Sequence, residues 1–111
     1  MTLREYENIK KHPIFGYFIL DKIDGFEDIK KVVLDHHERI DGKGYPLKKR
    51  RKDIYYLAKI ISIADAYDAM TSKRPYRKRP FSHKEAKSRL KNSIGFQFEK
   101  DLVYEFIKSF D

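Results

Sequence analysis

Apolar positions along the chain recur at helical rather than strand spacing, and Gly and Pro are scarce. Thr2 and Glu5 form a capping box that predicts a helix starting at Leu3. His12-Pro13 is expected to break or re-aim that helix, with a second segment running to about Ile23 and Gly25 as its C-terminal cap. The next helix is expected from Phe26 to about Glu38, with Ile29, Val32 and Val33 on its apolar face. Residues 41–52 are expected to be the longest loop. Asp53 can cap a long helix to about Ser72, which carries Leu57, Ile60, Ile61, Ala64, Tyr67 and Ala69. Ser82 and Glu85 form a second capping box, for a helix ending near Gly95, and a last helix is expected from about Glu99 to Phe110. The pattern predicts one all-α domain of roughly five to seven helices and no sheet.

Composition narrows the picture. A chain of 111 residues with 41% hydrophobic residues can bury one modest core. Charged residues make up 38%, and no apolar run approaches the length that spans a bilayer. There is no cysteine, which excludes disulfides and thiolate metal sites. The N-terminus does not read as a signal peptide, so a cytoplasmic location is expected. The net charge of +8 favours acidic partners such as phosphate groups, or serves only as a solvated surface. No nucleic-acid motif accompanies it. The run Lys48 to Lys52 holds five like charges and is expected to be an exposed loop, with an electrostatic funnel for a phosphate ligand as its functional alternative.

Candidate chemistry centres on "DHHERIDGKGYP", Asp35 to Pro46. Successive helical residues point about 100° apart, so His36 and His37 cannot easily serve one ion from one face. They can reach two neighbouring ions, or divide between an ion and another group. Taken alone, an adjacent pair at a helix end is more often a solvated terminus or a C-cap interaction. His12 stands at a junction before Pro13. Asp65 lies in the apolar stretch "AKIISIADAYDAM", where a buried carboxylate needs a partner. Asp68 follows three residues on, and Arg74 or Arg77 are candidate partners for both aspartates. Three imidazoles and a carboxylate suit Fe, Mn, Zn or similar ions, and paired ions are a common device for in-line phosphodiester hydrolysis.

These residues carry a resemblance. "HHERIDGKGYP" is similar to the signature of the HD-GYP family, and "ISIADAYDAMTSKRPYRKRPFSHKEA" resembles that family's next block. "HPIFG" and "GFQF" resemble the blocks before and after. The family is all-helical, and its characterised members are metal-dependent phosphodiesterases that hydrolyse cyclic di-GMP to pGpG or GMP in bacterial signalling. The resemblance implies His12, His36, His37 and Asp65 as metal ligands. It implies Gly44, Tyr45 and Pro46 as a motif turn, with Tyr45 near substrate and the turn implicated in contacts with GGDEF-type domains. Arg74 and Arg77 fall where the family places basic groups on the ligand's phosphates.

There are departures. The family's His-Asp dyad lies upstream of the block matching Leu3 to Gly16, so residues 1–111 are expected to be the C-terminal part of an HD-GYP domain. Glu99-Lys100 replaces the usual Asp-Pro, and the basic run replaces a short loop. The resemblance therefore implies a divalent ion, Fe, Mn or similar, incompletely held, and weak or absent catalysis by this chain alone. The alternative is a non-catalytic module that binds a nucleotide or a GGDEF-type partner. A homo-oligomer is expected, burying Phe15, Phe18, Ile19, Val33, Ile60 and Ile61.

Overall fold

A computed structural model describes residues 3–73, 75 and 78–110, without the side chains of residues 3–9 and 15. Five α-helices follow one another: α1 (Leu3–Asp21), α2 (Glu27–Asp35), α3 (Tyr56–Thr71), α4 (His83–Asn92) and α5 (Lys100–Lys108). A short 3-10 turn at Arg51–Asp53 interrupts the long connection between α2 and α3. The described residues contain no strand, only isolated bridges at Asp41–Arg50 and Ile94–Phe98. The all-α fold is as the periodicity predicts.

The capping box at Ser82 and Glu85 forms in full: the Ser82 hydroxyl accepts from the Glu85 amide, and the Glu85 carboxylate accepts from the Ser82 amide. The expected cap at Thr2 lies outside the described residues, as do Arg74 and Arg77. Gly25 and Gly95 follow α1 and α4 with φ of 91° and 86°, a left-handed backbone that glycine adopts without penalty.

Pro13 does not break the first helix, contrary to the sequence expectation. α1 runs through it unbroken, and the proline is buried. Proline removes one backbone donor, at the cost of about one hydrogen bond. Contacts with α2 beyond Pro13 offset that loss. A Cβ at Gly16 would stand 2.7 Å from Val33 Cγ1, so the glycine permits close packing of α1 on α2. The buried Lys30 then binds Asp21 at the end of α1 and Glu27 on its own helix. α3 begins at Tyr56, three residues past the expected Asp53 cap, because Arg51–Asp53 closes its own 3-10 turn.

Two clusters make the core. The larger joins α3, α4 and α5 through Ile63, Leu90, Phe98, Val103 and Ile107. The smaller, Ile40, Ile54 and Ala58, pins the long connection to the start of α3. Between α2 and α3 lies an apolar groove of about 310 Å³, with Ile29, Val32, Val33, Leu57, Ile60 and Ile61 along it. Phe18 and Ile19 on α1 are exposed.

Candidate functional site

The connection from His36 to Tyr55 owes its shape mainly to two buried carboxylates. Glu38 is 3% exposed, and its two oxygens accept from the Leu47 and Lys49 amides, each at 2.8 Å. Asp35 is 2% exposed and accepts from the Tyr55 amide at 2.8 Å. Lys49 Nζ stands 2.9 Å from the other Asp35 oxygen, an ion pair without hydrogen-bond alignment. One member of the basic run is thus folded inward, and Arg51 pairs with Glu99. A buried carboxylate is costly unless it is paired or hydrogen-bonded, and here the loop supplies two amides to Glu38 and one amide and an ammonium group to Asp35.

Asp41 supports the outer part of the loop. It takes a two-pronged contact from Arg39 at 3.2 and 2.9 Å and accepts from the Lys43 amide. Burial pushes its pKa upward, but the Arg39 fork and the amide carry it below the usual carboxylate range. Gly44 has a steric reason: a Cβ there would meet the His37 carbonyl and the Arg39 amide at 2.5 Å. Tyr45 donates its amide to the His37 carbonyl at 3.2 Å, and the Tyr45–Pro46 peptide is cis. The Tyr45 ring stacks on His37, with centroids 4.9 Å apart.

His36 and His37 leave α2 just after its last residue, with ring centroids 3.9 Å apart. His36 Nδ1 is 2.9 Å from the Val33 carbonyl, which can only accept. Nδ1 therefore carries the proton, and Nε2 holds the lone pair a cation needs. Burial first, and then the neighbouring His36, push the His37 pKa down, while Asp65 opposes them. The net downward shift favours the neutral form of His37, the form that binds metals.

These residues line a cavity of about 350 Å³ with Tyr45 and Lys43 at one side and Asp65 of α3 at the other. Three of the four expected ligands thus share one cavity. The fourth, His12, is exposed on α1 and is not part of the lining. Among the described residues no three His, Cys, Asp or Glu side chains stand close enough to hold one ion together. The donors are right in type for a borderline divalent ion, and the geometry presents at most two at a time.

Asp65 is exposed, contrary to the burial its apolar surroundings suggest. The apolar residues of α3 divide between the core and the α2 groove, which leaves its remaining face open. Asp68 is exposed too and accepts from the Ser72 hydroxyl at 3.1 Å. The fourth histidine, His83, bonds the Tyr67 hydroxyl at 2.8 Å within an aromatic group with Phe110. Sequence reasoning gave Glu38 and Asp35 no role. Their signal was faint: two carboxylates flanking the histidine pair, beside a loop rich in unpaired amides.

A family model described as HD domain matches residues 1–95. A probable cyclic di-GMP phosphodiesterase of Vibrio cholerae is 31% identical over 115 residues, which cover 96% of this chain and 26% of that protein. A cyclic di-GMP phosphodiesterase of Thermotoga maritima is 34% identical, over 97% of this chain and 30% of its own length. A 3'3'-cGAMP-specific phosphodiesterase of Vibrio cholerae is 32% identical, over the full chain and 22% of its own length. The chain thus spans less than a third of the length of these relatives. With the histidine pair, Gly44, Tyr45 and Asp65 meeting in one cavity of an all-α fold, and with a family match over most of its residues, the chain belongs to the HD-domain family.

Proposed function

We propose that the cavity beside His37 binds a cyclic dinucleotide, cyclic di-GMP first, and takes part in metal-dependent hydrolysis of one of its phosphodiester links. The observation that carries this reading is the meeting of His36, His37, Asp65 and Tyr45 in one cavity, in a chain whose relatives are named for that activity. His36 through Nε2, His37 and Asp65 are the residues that would hold divalent ions such as Fe or Mn, no more than two of them to one ion; His12 joins them only if α1 brings it nearer. When bound, such an ion supplies charge stabilisation to the phosphoryl oxygens and lowers the pKa of water. Tyr45 orients the ligand by offering a flat face already aligned on His37. Arg74 and Arg77, by the family resemblance, are the proposed phosphate contacts. Glu38 fixes the Tyr45 turn from beneath, so ligand binding needs little ordering of the loop.

A second reading, a non-catalytic signalling module, has its own support: no three donors converge on one point among the described residues. A GGDEF-type domain as partner of the Gly44–Pro46 turn belongs to either reading and rests on the family resemblance. So does self-association through the apolar groove, which light scattering would test. No described helix is long and apolar enough to cross a membrane, and a cytoplasmic setting is the one we adopt.

The test uses one preparation of this chain with Mn or Fe(II), cyclic di-GMP and 3'3'-cGAMP. Calorimetry reads binding, and chromatography reads linear products. Metal-enhanced binding with slow turnover that His37→Ala abolishes is the expected result. Absence of binding to either nucleotide with metal present would overturn the proposal, and binding without turnover would select the second reading.

A further inference from the structure

On the other side of the Tyr45 turn lies a second cavity, the largest described, of about 550 Å³. Lys10 and Lys11 of α1 form one wall, and Lys43 and Lys48 of the loop form the other, with Tyr45 and Pro46 between them. No carboxylate is among the described residues that line it. Lysines 10 and 11 reach it because α1 continues unbroken beside α2, and Lys48 because its backbone takes a left-handed turn with φ of 53°. A non-glycine residue in that conformation is uncommon, and here the turn is fixed by Glu38, which holds the amides on either side of it. The cavity shares Lys43, Gly44 and Tyr45 with the histidine cavity, so one ligand can touch both.

We propose that this lysine-lined cavity is a phosphate subsite, and that it takes the phosphate of a cyclic dinucleotide that is not being hydrolysed. The inference rests on the proposed function for the identity of the ligand, and on geometry alone for the anion site. A cyclic dinucleotide carries two phosphodiesters. While one lies by His36 and His37, the other remains a full negative charge and needs neutralisation where no hydrolytic group stands. The ammonium groups of Lys11, Lys43 and Lys48, from two separate elements, supply it, and lysine suits this role as a compact charge with freely rotating donors. The volume falls in the range of nucleotide-sized sites, and its concave two-walled shape fits a small ligand better than a duplex or a flat membrane.

The test compares the intact chain with the double variant Lys11→Gln/Lys48→Gln and with Lys84→Gln/Lys108→Gln, which removes the same charge from exposed positions on α4 and α5. First, pyrophosphate is titrated while the lysine side-chain NMR signals are followed. The expected result is movement of the Lys11 and Lys48 signals, lost in the first variant and kept in the second. Next, cyclic di-GMP and GMP are titrated. Removing Lys11 and Lys48 is expected to weaken cyclic di-GMP about tenfold and leave GMP, with its single phosphate at the histidines, within about twofold. Equal loss with the two double variants would show a general charge effect and overturn the subsite, as would pyrophosphate moving neither lysine. Pyrophosphate binding at Lys11 and Lys48 without any cyclic di-GMP binding would instead remove the proposed function and leave the anion site standing. Preferential binding of an RNA oligomer, with equal losses for cyclic di-GMP and GMP, would overturn the ligand assignment.

Discussion

The two halves of the molecule are held by different physics. From α3 to α5 the fold rests on a buried apolar cluster, in which Ile63, Leu90 and Val103 are each at most 1% exposed. From His36 to Tyr55 it rests on carboxylates holding backbone amides, with Glu38 and Asp35 as the two buried anchors. The apolar half tolerates changes of charge and fails when volume is removed. The polar half fails when one acceptor is lost, because the amides it held cannot all find water. The candidate site is built on the polar half, where position is specified by hydrogen bonds aimed from fixed points.

That contrast can be broken from either side. The largest expected effect is Leu90→Ala, which should cost about 4 kcal/mol of global stability by opening the core. Denaturant unfolding measures it, and nucleotide affinity of the folded fraction should stay unchanged. Next comes Gly44→Ala, whose Cβ would collide with backbone atoms of residues 37 and 39. It should cost about 3 kcal/mol and remove ligand binding, since the Tyr45 ring moves with the turn. If affinity survives, the tight packing of the turn is not what positions Tyr45. Glu38→Gln replaces two carboxylate acceptors by one amide oxygen and leaves an amide unmet. A loss of about 2 kcal/mol is expected, with faster hydrogen exchange at Leu47 and Lys49 and none in α5. Exchange that rises evenly across the chain would mean the two halves do not separate.

The smallest effect belongs to the surface. The Glu85 carboxyl is drawn down to about 2 by the Arg79 guanidinium and the Ser82 amide. A lowered pKa in the folded state contributes stability that is present above the unfolded value of 4.5 and is lost as pH falls through about 2. The amide shifts of Ser82 and Glu85 should therefore titrate near pH 2; a midpoint near 4.5 would show that the cap is open in solution. The core should be unaffected across the same range.

What could be read from the sequence follows the same division. The Ser82–Glu85 box is legible because both partners lie within four residues and the motif states its own geometry. The apolar faces of α2 and α3 are legible because burial leaves a period. The continuity of α1 through Pro13 is not, since it depends on Gly16 meeting Val33 and Lys30 meeting Asp21. Glu38 and Asp35 are illegible for the same reason: their amides lie nine to twenty positions away. Asp65 misled in the other direction, because an apolar stretch does not say which face of a helix its carboxylates occupy. His36, His37 and Tyr45 lie within ten residues of sequence, and their convergence was the easiest part of the site to expect; that Asp65 lines the same cavity while His12 does not is visible only in three dimensions.

The central proposal is that His36, His37 and Asp65, which line one cavity, take up divalent ions there, no more than two of them to one ion. The most direct test adds substoichiometric Mn²⁺ to isotope-labelled protein and records which signals its unpaired electrons broaden. Broadening confined to His36, His37, Tyr45 and Asp65, absent from His83 and lost in His37→Ala, is the predicted result. Broadening at His12 as well would add α1 to the wall. Broadening centred on the Glu99 or Asp101 region, or unchanged by His37→Ala, would contradict the claim.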